Sequence, residues 1–382
     1  MKVAFYAPLK PPTHPIASGD RRMARLLIAA LERAGYDTTL ASRLRSFEPT
    51  GDPKRQLELA DICRSQIPRL LRRFRALPPA ERPIAWMTYH VYYKAPDWFG
   101  PRIADALGIP YVIVEASHAN KRANGPWAMG HEATAAAIRR ADAILSPNAN
   151  DEECIRPLMP DPRRLVPMPP FLDLQPYQDA AIRRSAHRQS LARAYGLDPY
   201  HNWLLAVGMM RPGDKFESYR VLAAALEKLG HQPWHLIVVG DGPERAAVEE
   251  LMRHIGPNRV TFVGFVGERN LPVFYAGADI LVWPAIGEAY GMAILEAQAT
   301  GQPVVAGASG GVPGIVDAGT TGLLAPPGDA DSFARALGAL IANPTRRAQM
   351  RASALKQTAD RHGIARAATL IGDVLGALAR AA

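Results

Sequence analysis

The chain has 382 residues, of which 48% are hydrophobic and 21% are charged, a composition that excludes intrinsic disorder and a disulfide-stapled scaffold. A single hydrophobic core usually stops growing below this length, so we expect two domains. Most of the net charge of +9 lies in the first half, where residues 1–170 hold 25 Lys and Arg against 17 Asp and Glu, a surplus of 8. No recognition motif accompanies this charge, and we expect no nucleic-acid partner.

Short apolar runs alternate with helical patterns along the whole chain, which predicts parallel sheets covered by helices. The predicted strands of the first half are Val3–Ala7, Thr38–Ala41, Ile84–Thr88, Tyr111–Glu115 and Ala143–Ser146, and two of its predicted helices are Asp20–Ala34 and Trp98–Leu107. The predicted strands of the second half are Trp203–Gly208, Trp234–Gly240, Val260–Phe262, Ile280–Trp283 and Pro303–Ala306. Because these strands are continuous apolar runs, both faces of each sheet should be covered. The predicted fold is α/β with two doubly wound domains.

Closely spaced prolines around residues 165–176 predict the domain boundary, since proline prevents a continuing helix or central strand. We expect an N-terminal domain at 1–172 and a C-terminal domain at 173–362. A last helix at 363–382 should pack back on the first domain. Open parallel sheets bind ligands at the carboxyl ends of their strands, so the site is expected in a cleft between two facing domains.

The segment Arg64–Arg75 contains much of the positive charge of the first half. Two interpretations stay open. The segment could lie on an anionic membrane surface at the inner face. Alternatively, it is a solvated amphipathic helix that packs on its own domain, which we favour because Pro68 should limit the helix and the apolar stripe is short. The stripe has helical spacing and consists of Ile67, Leu70, Leu71 and Phe74.

We find no sequence pattern that predicts a targeting segment, a membrane span or a metal site. The N-terminus has no long apolar region with a small-residue cleavage site, and no run of about 18 apolar residues follows, so we expect a cytoplasmic protein. Cys63 and Cys154 are too few for a disulfide or zinc framework. Asp329-Ala-Asp331 has the spacing of a metal-binding motif, but it falls at a predicted helix start where Asp is a normal cap. We expect no metal and no cofactor.

The segment from Val282 to Ala306 predicts a strand, a loop, a helix, a turn and a strand. Glu288 precedes a helix whose first-turn amides have no acceptor inside the helix. A helix start that contains a glycine, at the top of a parallel strand, is suited to a diphosphate group. The amides in question belong to Tyr290, Gly291 and Met292. The alternative for Glu288 is an ordinary capping carboxylate.

Glu296 stands among Ala and Leu residues in a helix that we expect to be largely buried. A buried carboxylate needs hydrogen-bond partners or it becomes neutral. The two hydroxyl groups of a ribose would be suitable donors. The alternative is a Glu on the solvent-facing side of the helix.

Three further residues lie in predicted strand-to-helix loops. Arg211 and Lys215 follow a strand of the second half, and such cations would stabilise the charge that develops on a leaving diphosphate. A purely structural loop is the alternative. In the segment 15–22 of the first half, Gly19 would let the backbone approach a ligand closely. The alternative there is an N-cap turn formed by Ser18 or Asp20.

The pattern from Glu288 to Glu296, Glu-x7-Glu in a strand–loop–helix context, resembles the signature of the retaining glycosyltransferases of family 4, which have the GT-B fold. The similarity continues through residues 310–317 and 322–329. The resemblance implies that Glu288 lies by the donor sugar, that Glu296 takes the ribose hydroxyls, and that Lys215 and Arg211 bind the phosphates. These two cations are four positions apart, whereas the family commonly has five, and the family's Gly-Gly pair is reduced to Gly19.

The family also places a histidine after the fourth strand, near the transferred sugar. The resemblance implies that this residue is His118, with Glu115 and His90 as competitors. The implied catalytic residues are His118 and Glu288. The implied donor-binding residues are Gly19, Arg211, Lys215, Val266, Ala289, Tyr290, Gly291, Met292 and Glu296.

The implied reaction moves a sugar from a UDP- or GDP-sugar to an acceptor hydroxyl, with retention and without a metal. The acceptor would be a sugar, a lipid-linked sugar or a small molecule, as in cell-surface polysaccharide or glycolipid synthesis. Two alternatives remain. One is a nucleotide-sugar 2-epimerase of the same fold, and the other is a non-catalytic protein that binds nucleotide sugars.

Overall fold

The computed structural model describes residues 1–16, 18–256 and 258–381. Two compact units divide the chain between Pro169 and Pro170 and again after Gly363, where the last helix joins the first unit. Ala17 of the predicted 15–22 loop and Ala382 of the predicted terminal segment lie outside the described residues. Each unit has its own sheet and its own core.

The first unit is a six-stranded parallel sheet with helices around it, and its strand order is β2-β1-β3-β4-β5-β6. The order changes direction between β1 and β3, which is the kind of position where open α/β sheets bind ligands. Its elements are β1 (Lys2–Tyr6), α1 (Gly19–Arg33), β2 (Asp37–Leu40), α2 (Pro53–Arg75), β3 (Pro83–Val91), α3 (Gly100–Leu107), β4 (Tyr111–Ala116), α4 (Ala128–Arg140), β5 (Ala143–Ser146), α5 (Ala149–Ile155) and β6 (Leu165–Pro167).

The second unit repeats this architecture, with six parallel strands in the order β12-β11-β10-β7-β8-β9. Its elements are α6 (Gln175–Ile182), α7 (Arg184–Tyr195), β7 (Asn202–Val207), α8 (Asp214–Glu227), β8 (Trp234–Val239), α9 (Arg245–Arg253), β9 (Val260–Gly264), α10 (Leu271–Gly277), β10 (Ile280–Trp283), α11 (Met292–Ala299), β11 (Val304–Gly307), β12 (Gly322–Ala325), α12 (Ala330–Ile341) and α13 (Pro344–Arg361). The chain ends in α14 (Ile364–Ala381), which packs against α1 of the first unit.

The two parallel sheets with surrounding helices confirm the predicted doubly wound α/β architecture. Two strands, β5 and β10, have the predicted bounds. The strands that the sequence did not reveal, β6 and β12, are both edge strands. An edge strand is paired on one side only, so it tolerates proline and needs no long apolar run. Pro167 in β6 and Gly322 at the start of β12 fit this explanation.

The arginine-rich helix α2 corrects one expectation. Pro68 was expected to limit the helix, but α2 continues through it. Pro68 lies on the exposed side of α2, where the carbonyl group that loses its helical N–H donor is accessible to solvent. The apolar stripe packs into the core of its own unit, as expected for a helix that packs on its own domain. Its residues are Leu70 and Phe74, both buried, and Ile67 and Leu71, both partly buried.

The hydropathy of the helices gives one further result. Among the helices in the described ranges, none has the length and apolar character needed to cross a membrane.

One carboxylate at the amino end of β10 holds two arginines of α7. Asp279 accepts hydrogen bonds from Arg184 Nη2 at 2.6 Å, from Arg188 Nη1 at 2.9 Å and from the backbone N–H of Trp203 at 2.8 Å. Nearby, burial and then the charge of Arg184 lower the pKa of Arg351 to about 10. The negative charge of Asp279 therefore offsets repulsion among half-buried guanidinium groups.

We predict that Asp279→Ala destabilises the second unit by about 3–5 kcal/mol, because removing one partner of a buried ion pair leaves uncompensated charge. Urea unfolding followed by circular dichroism measures this loss. The control is Asp331→Ala, which removes an exposed partner 2.9 Å from Lys228 and should cost less than about 1 kcal/mol. Equal losses in both variants would show that the Asp279 cluster has no special role.

Candidate functional site

Three side chains meet at the carboxyl end of β10. The Glu288 Oε2 atom lies 2.6 Å from Lys215 Nζ and accepts a hydrogen bond from Trp283 Nε1 at 3.1 Å. The Lys215 ammonium group also lies 5.2 Å from the centroid of the Trp283 ring. The structure thus brings together two residues that the sequence predicted separately, Lys215 and Glu288. It adds Trp283, which the sequence did not single out.

The Trp283 ring is held by close packing against β7 and α8. A Cβ built on Gly208 would lie 2.7 Å from the ring, so only glycine fits at this position. Tyr219 packs edge-on against the ring with centroids 5.2 Å apart, and its hydroxyl donates to Gly208 O at 2.9 Å. The indole N–H therefore has a defined direction toward Glu288.

The loop between β10 and α11 is fixed by left-handed backbone conformations and by contacts with α8. Gly287 has a φ of 58°, and Ala285 has a φ of 57°, which is unusual for a residue with a Cβ. A Cβ on Gly287 would lie 2.3 Å from Asp214 Oδ2. The N–H of Ile286 donates to Ser218 Oγ at 3.0 Å. Positive φ at a non-glycine residue often marks a functional loop, because the surrounding structure must hold it in place.

Helix α11 begins with Gly291 as its N-cap at a φ of 78°, and glycine has no side chain to cap the first amides. The Gly291 carbonyl accepts from the N–H groups of Ile294 at 2.9 Å and Leu295 at 3.0 Å. Glu296 is only 3% exposed, as its apolar neighbours predict. The start of the helix therefore presents its positive dipole end, and one turn later the helix carries a buried carboxylate.

The remaining predicted donor residues lie on loops of the same unit. Arg211 is exposed after β7, and Val266 is half-buried after β9. Ala289 is exposed and its carbonyl accepts from Gly311 N at 3.0 Å, while Tyr290 and Met292 are half-buried. Across the described ranges, no group of three or more His, Cys, Asp or Glu side chains is arranged to hold a metal ion.

In the first unit, Gly19 is the first residue of α1, and the preceding Ser18 accepts from Arg21 N at 3.2 Å through its hydroxyl. The capping turn that the sequence gave as an alternative is therefore present. A Cβ built on Gly19 would meet no described atom within 4 Å. The backbone of this glycine is consequently open to a ligand.

His90 lies near the end of β3, between two carboxylates. One is Asp20 at the start of α1, and the other is Glu115 near the end of β4. The Nδ1 atom of His90 is 3.2 Å from Asp20 Oδ1 and its Nε2 atom is 3.5 Å from Glu115 Oε1. Both His90, with a φ of 62°, and Glu115, with a φ of 64°, are held in the left-handed region. Burial alone would lower the pKa of His90, but the charges of Glu115 and Asp20 raise it overall.

His118 has a different environment. It follows β4, is 6% exposed, and its ring centroid lies 4.3 Å from that of His131 on α4. Burial, followed by the charges of His131 and Arg139, lowers the pKa of His118. The two candidate histidines of the first unit therefore differ in charge: His90 favours the protonated form and His118 the neutral form.

A comparison with protein-family models finds a match within the second unit. Residues 201–343 match the family model described as glycosyl transferases group 1. This match includes Lys215, Trp283, Glu288 and Glu296.

The relatives are glycosyltransferases. The alpha-D-kanosaminyltransferase of Streptomyces kanamyceticus is 30% identical over 259 residues, which cover 66% of this chain and 63% of that protein. The D-inositol 3-phosphate glycosyltransferase of Rhodococcus erythropolis is 29% identical over 226 residues, or 57% of this chain and 50% of that protein. The chain thus spans between half and two thirds of the length of these two relatives.

Structural similarity extends over both units. Anabaena Alr3699/HepE, solved in complex with UDP and glucose, has a TM-score of 0.69 at 18% identity and covers 98% of this chain and 99% of its own. At this identity the similarity shows the fold. The neighbours have the GT-B fold, which confirms the predicted fold class. The similarity to glycosyltransferases thus covers part of the chain, and the similarity in fold extends over both units.

We predict that Gly208→Ala destabilises the second unit by about 1–3 kcal/mol, because the new methyl group overlaps the Trp283 ring and forces it out of place. The free energy of unfolding in urea measures the effect. Gly230→Ala is the control, since the nearest atom to its Cβ is a carbonyl oxygen at 3.6 Å. If both alanine variants unfold at the same urea concentration as the wild type, the Trp283 ring is not held by Gly208.

Proposed function

We propose that the chain transfers a sugar from a nucleoside diphosphate sugar, UDP- or GDP-linked, to the hydroxyl group of an acceptor, with retention at the anomeric carbon. The observation that carries the proposal is the contact of Lys215 and Trp283 with Glu288, directly before α11 and within the residues that match group 1 glycosyl transferases. The assignment to family 4 and the retaining outcome rest on the resemblance of the Glu-x7-Glu segment to that family.

The proposed diphosphate site uses charge in place of a metal ion. The Lys215 side chain is 30% exposed, so its ammonium group is open to a ligand while it contacts Glu288. A diphosphate would attract this ammonium group and the first amides of α11 together. We propose that Arg211, on the same loop as Lys215, adds a second cation. As the glycosidic bond breaks, these groups stabilise the charge on the leaving diphosphate.

The two glutamates have separate proposed roles. Glu288, with its Oε2 atom already in contact with two donors, is placed to orient hydroxyl groups of the donor sugar. Glu296, buried on α11, is proposed to accept from the ribose hydroxyls, because hydrogen bonds of this kind stabilise a carboxylate away from water. In the first unit we propose that His118 contacts a sugar hydroxyl and that Gly19 gives a ligand access to the backbone.

The acceptor is proposed from the relatives. The name of the Rhodococcus erythropolis protein includes inositol 3-phosphate, a small polyhydroxylated ring. Of the acceptors that the sequence left open, we therefore propose a small polyhydroxylated molecule. The exposed arginines on α2 are not needed for this reaction.

We predict that Lys215→Ala weakens UDP binding by roughly ten- to a hundredfold, because a hydrogen bond to a charged group contributes about 1.5–3 kcal/mol. Lys215→Arg should retain most of the affinity. Isothermal titration calorimetry with UDP and GDP measures both variants. Lys228→Ala, which removes an exposed cation at the other end of α8, is the control and should bind like the wild type. Unchanged affinity in Lys215→Ala would contradict the proposed phosphate contact.

We predict that Glu288→Gln lowers the turnover number for transfer by on the order of a hundredfold while UDP-sugar affinity changes little, because the lost charge acts mainly on the reacting sugar. Product analysis by proton NMR with a panel of UDP- and GDP-sugars gives the rate and the anomeric configuration. An inverted product rules out retention, and a 2-epimer without transfer identifies an epimerase. A wild type that binds a nucleotide sugar but forms no product is a binding protein.

A further inference from the structure

Three buried polar side chains lie beside one another in the first unit. His118 follows β4, and His131 and Thr134 lie on α4, three residues apart and so on the same face of the helix. Their exposed fractions are 6%, 7% and 1%. The rings of His118 and His131 pack with centroids 4.3 Å apart and planes tilted by 37°.

The polar atoms of these side chains lack partners. Both ring nitrogens of His118, the Nε2 atom of His131 and the Oγ1 atom of Thr134 are buried and have no hydrogen-bond partner within the described part of the chain. A buried polar group without a partner is destabilising, and proteins retain one where water or a ligand supplies the missing bond. Three such side chains in one place indicate a ligand that is absent from the protein alone.

The position of the group is that of a binding site. The loop that carries His118 leaves the carboxyl end of β4, and His131 lies in the first turns of the helix that this loop enters. In an open parallel sheet, ligands bind at this edge. His118 and His131 are 6% and 7% exposed as whole residues, so the group lies close to the surface of the unit.

The chemistry of the group favours a hydroxyl ligand. The lowered pKa of His118 keeps its imidazole neutral near pH 7, with one nitrogen as donor and the other as acceptor. The Thr134 hydroxyl can also donate and accept. An anion would need fixed positive charge, whereas neighbouring hydroxyl groups of a polyol can donate and accept as these side chains do.

We propose that His118, His131 and Thr134 form a subsite that binds the hydroxyl groups of a polyol, either the acceptor or the sugar of the donor. This inference rests on the proposed function, in which His118 contacts a sugar hydroxyl, and adds two residues of α4 to that contact.

The first test is direct binding by the full-length protein. The Cε1–H signals of His118 and His131, assigned with single-residue variants, are followed by NMR during titration with glucose, inositol and UDP-glucose. Shifts with free glucose or inositol place the acceptor in the subsite, and shifts with UDP-glucose alone place the donor sugar there. The remaining His118 signal should stop responding in His131→Phe, which keeps an aromatic ring. If neither histidine signal shifts with any of the three probes, the proposal is overturned.

The second test combines stability and activity. Thr134→Val removes the unpartnered hydroxyl, so the variant should melt about 2 °C higher than the wild type. Its kcat/KM for transfer should nevertheless fall by roughly five- to tenfold, because the ligand loses a hydrogen bond. Thr38→Val is the matched control: Thr38 lies in β2 of the same unit and its Oγ1 atom also has no described partner. That variant should gain stability with unchanged kcat/KM.

The outcomes separate this proposal from the function on which it rests. If the wild type transfers sugar and Thr134→Val is equally active, the subsite is wrong and the proposed function stands. A lower melting temperature for Thr134→Val would mean that the hydroxyl has a partner inside the protein, which also overturns the subsite. If glucose or inositol shifts the histidine signals but no nucleotide sugar is turned over, the subsite stands and the proposed transferase activity fails.

Discussion

The close approach of Trp283 to Gly208 is the constraint on which the donor side of the second unit depends. The missing side chain on Gly208 lets the indole lie against the carboxyl end of β7. From there, the indole N–H donates to Glu288 and the ring face contacts Lys215. A cation over an aromatic face and a carboxylate at the ring edge use the two opposite parts of the ring quadrupole. The arrangement of the charged pair thus follows from one glycine and one indole.

Buried charges in the framework have complete sets of partners. Asp97 in the first unit accepts from the hydroxyls of Thr88 and Tyr111 and from the N–H groups of Phe99 and Gly100, at 2.5 to 2.9 Å. This number of bonds is what a carboxylate needs when it is removed from water. The unpartnered imidazole of His118 lies in the same unit. Asp97 thus has all its hydrogen bonds within the fold, whereas the His118 nitrogens have none among the described residues.

More of the fold than of the candidate site could be predicted from the sequence. Continuous apolar runs reveal strands such as β10, because a buried parallel strand is apolar on both faces. The burial of Glu296 follows in the same way from its neighbours along the helix. The contacts of Glu288 could not be predicted, since Lys215 lies 73 positions away and such pairs depend on how the strands are ordered. The expectation that Pro68 limits α2 was wrong, because the effect of a proline depends on which side of the helix faces water.

The position of a histidine at the end of a strand does not determine its protonation state, as the two candidate histidines of the first unit show. His90 lies near the end of β3 and His118 follows β4, and the resemblance implied His118 with His90 as a competitor. The structure surrounds His90 with carboxylates, so both of its nitrogens are occupied and its charge is favoured. His118 is buried and lies against another imidazole, and both burial and that neighbour lower its pKa and favour the neutral form. A neutral ring can accept a proton or a hydrogen bond from a hydroxyl group, and a protonated ring held by two carboxylates cannot. These electrostatic surroundings support the proposal that His118 meets a hydroxyl ligand, whereas His90 links the start of α1, at Asp20, to the end of β4, at Glu115.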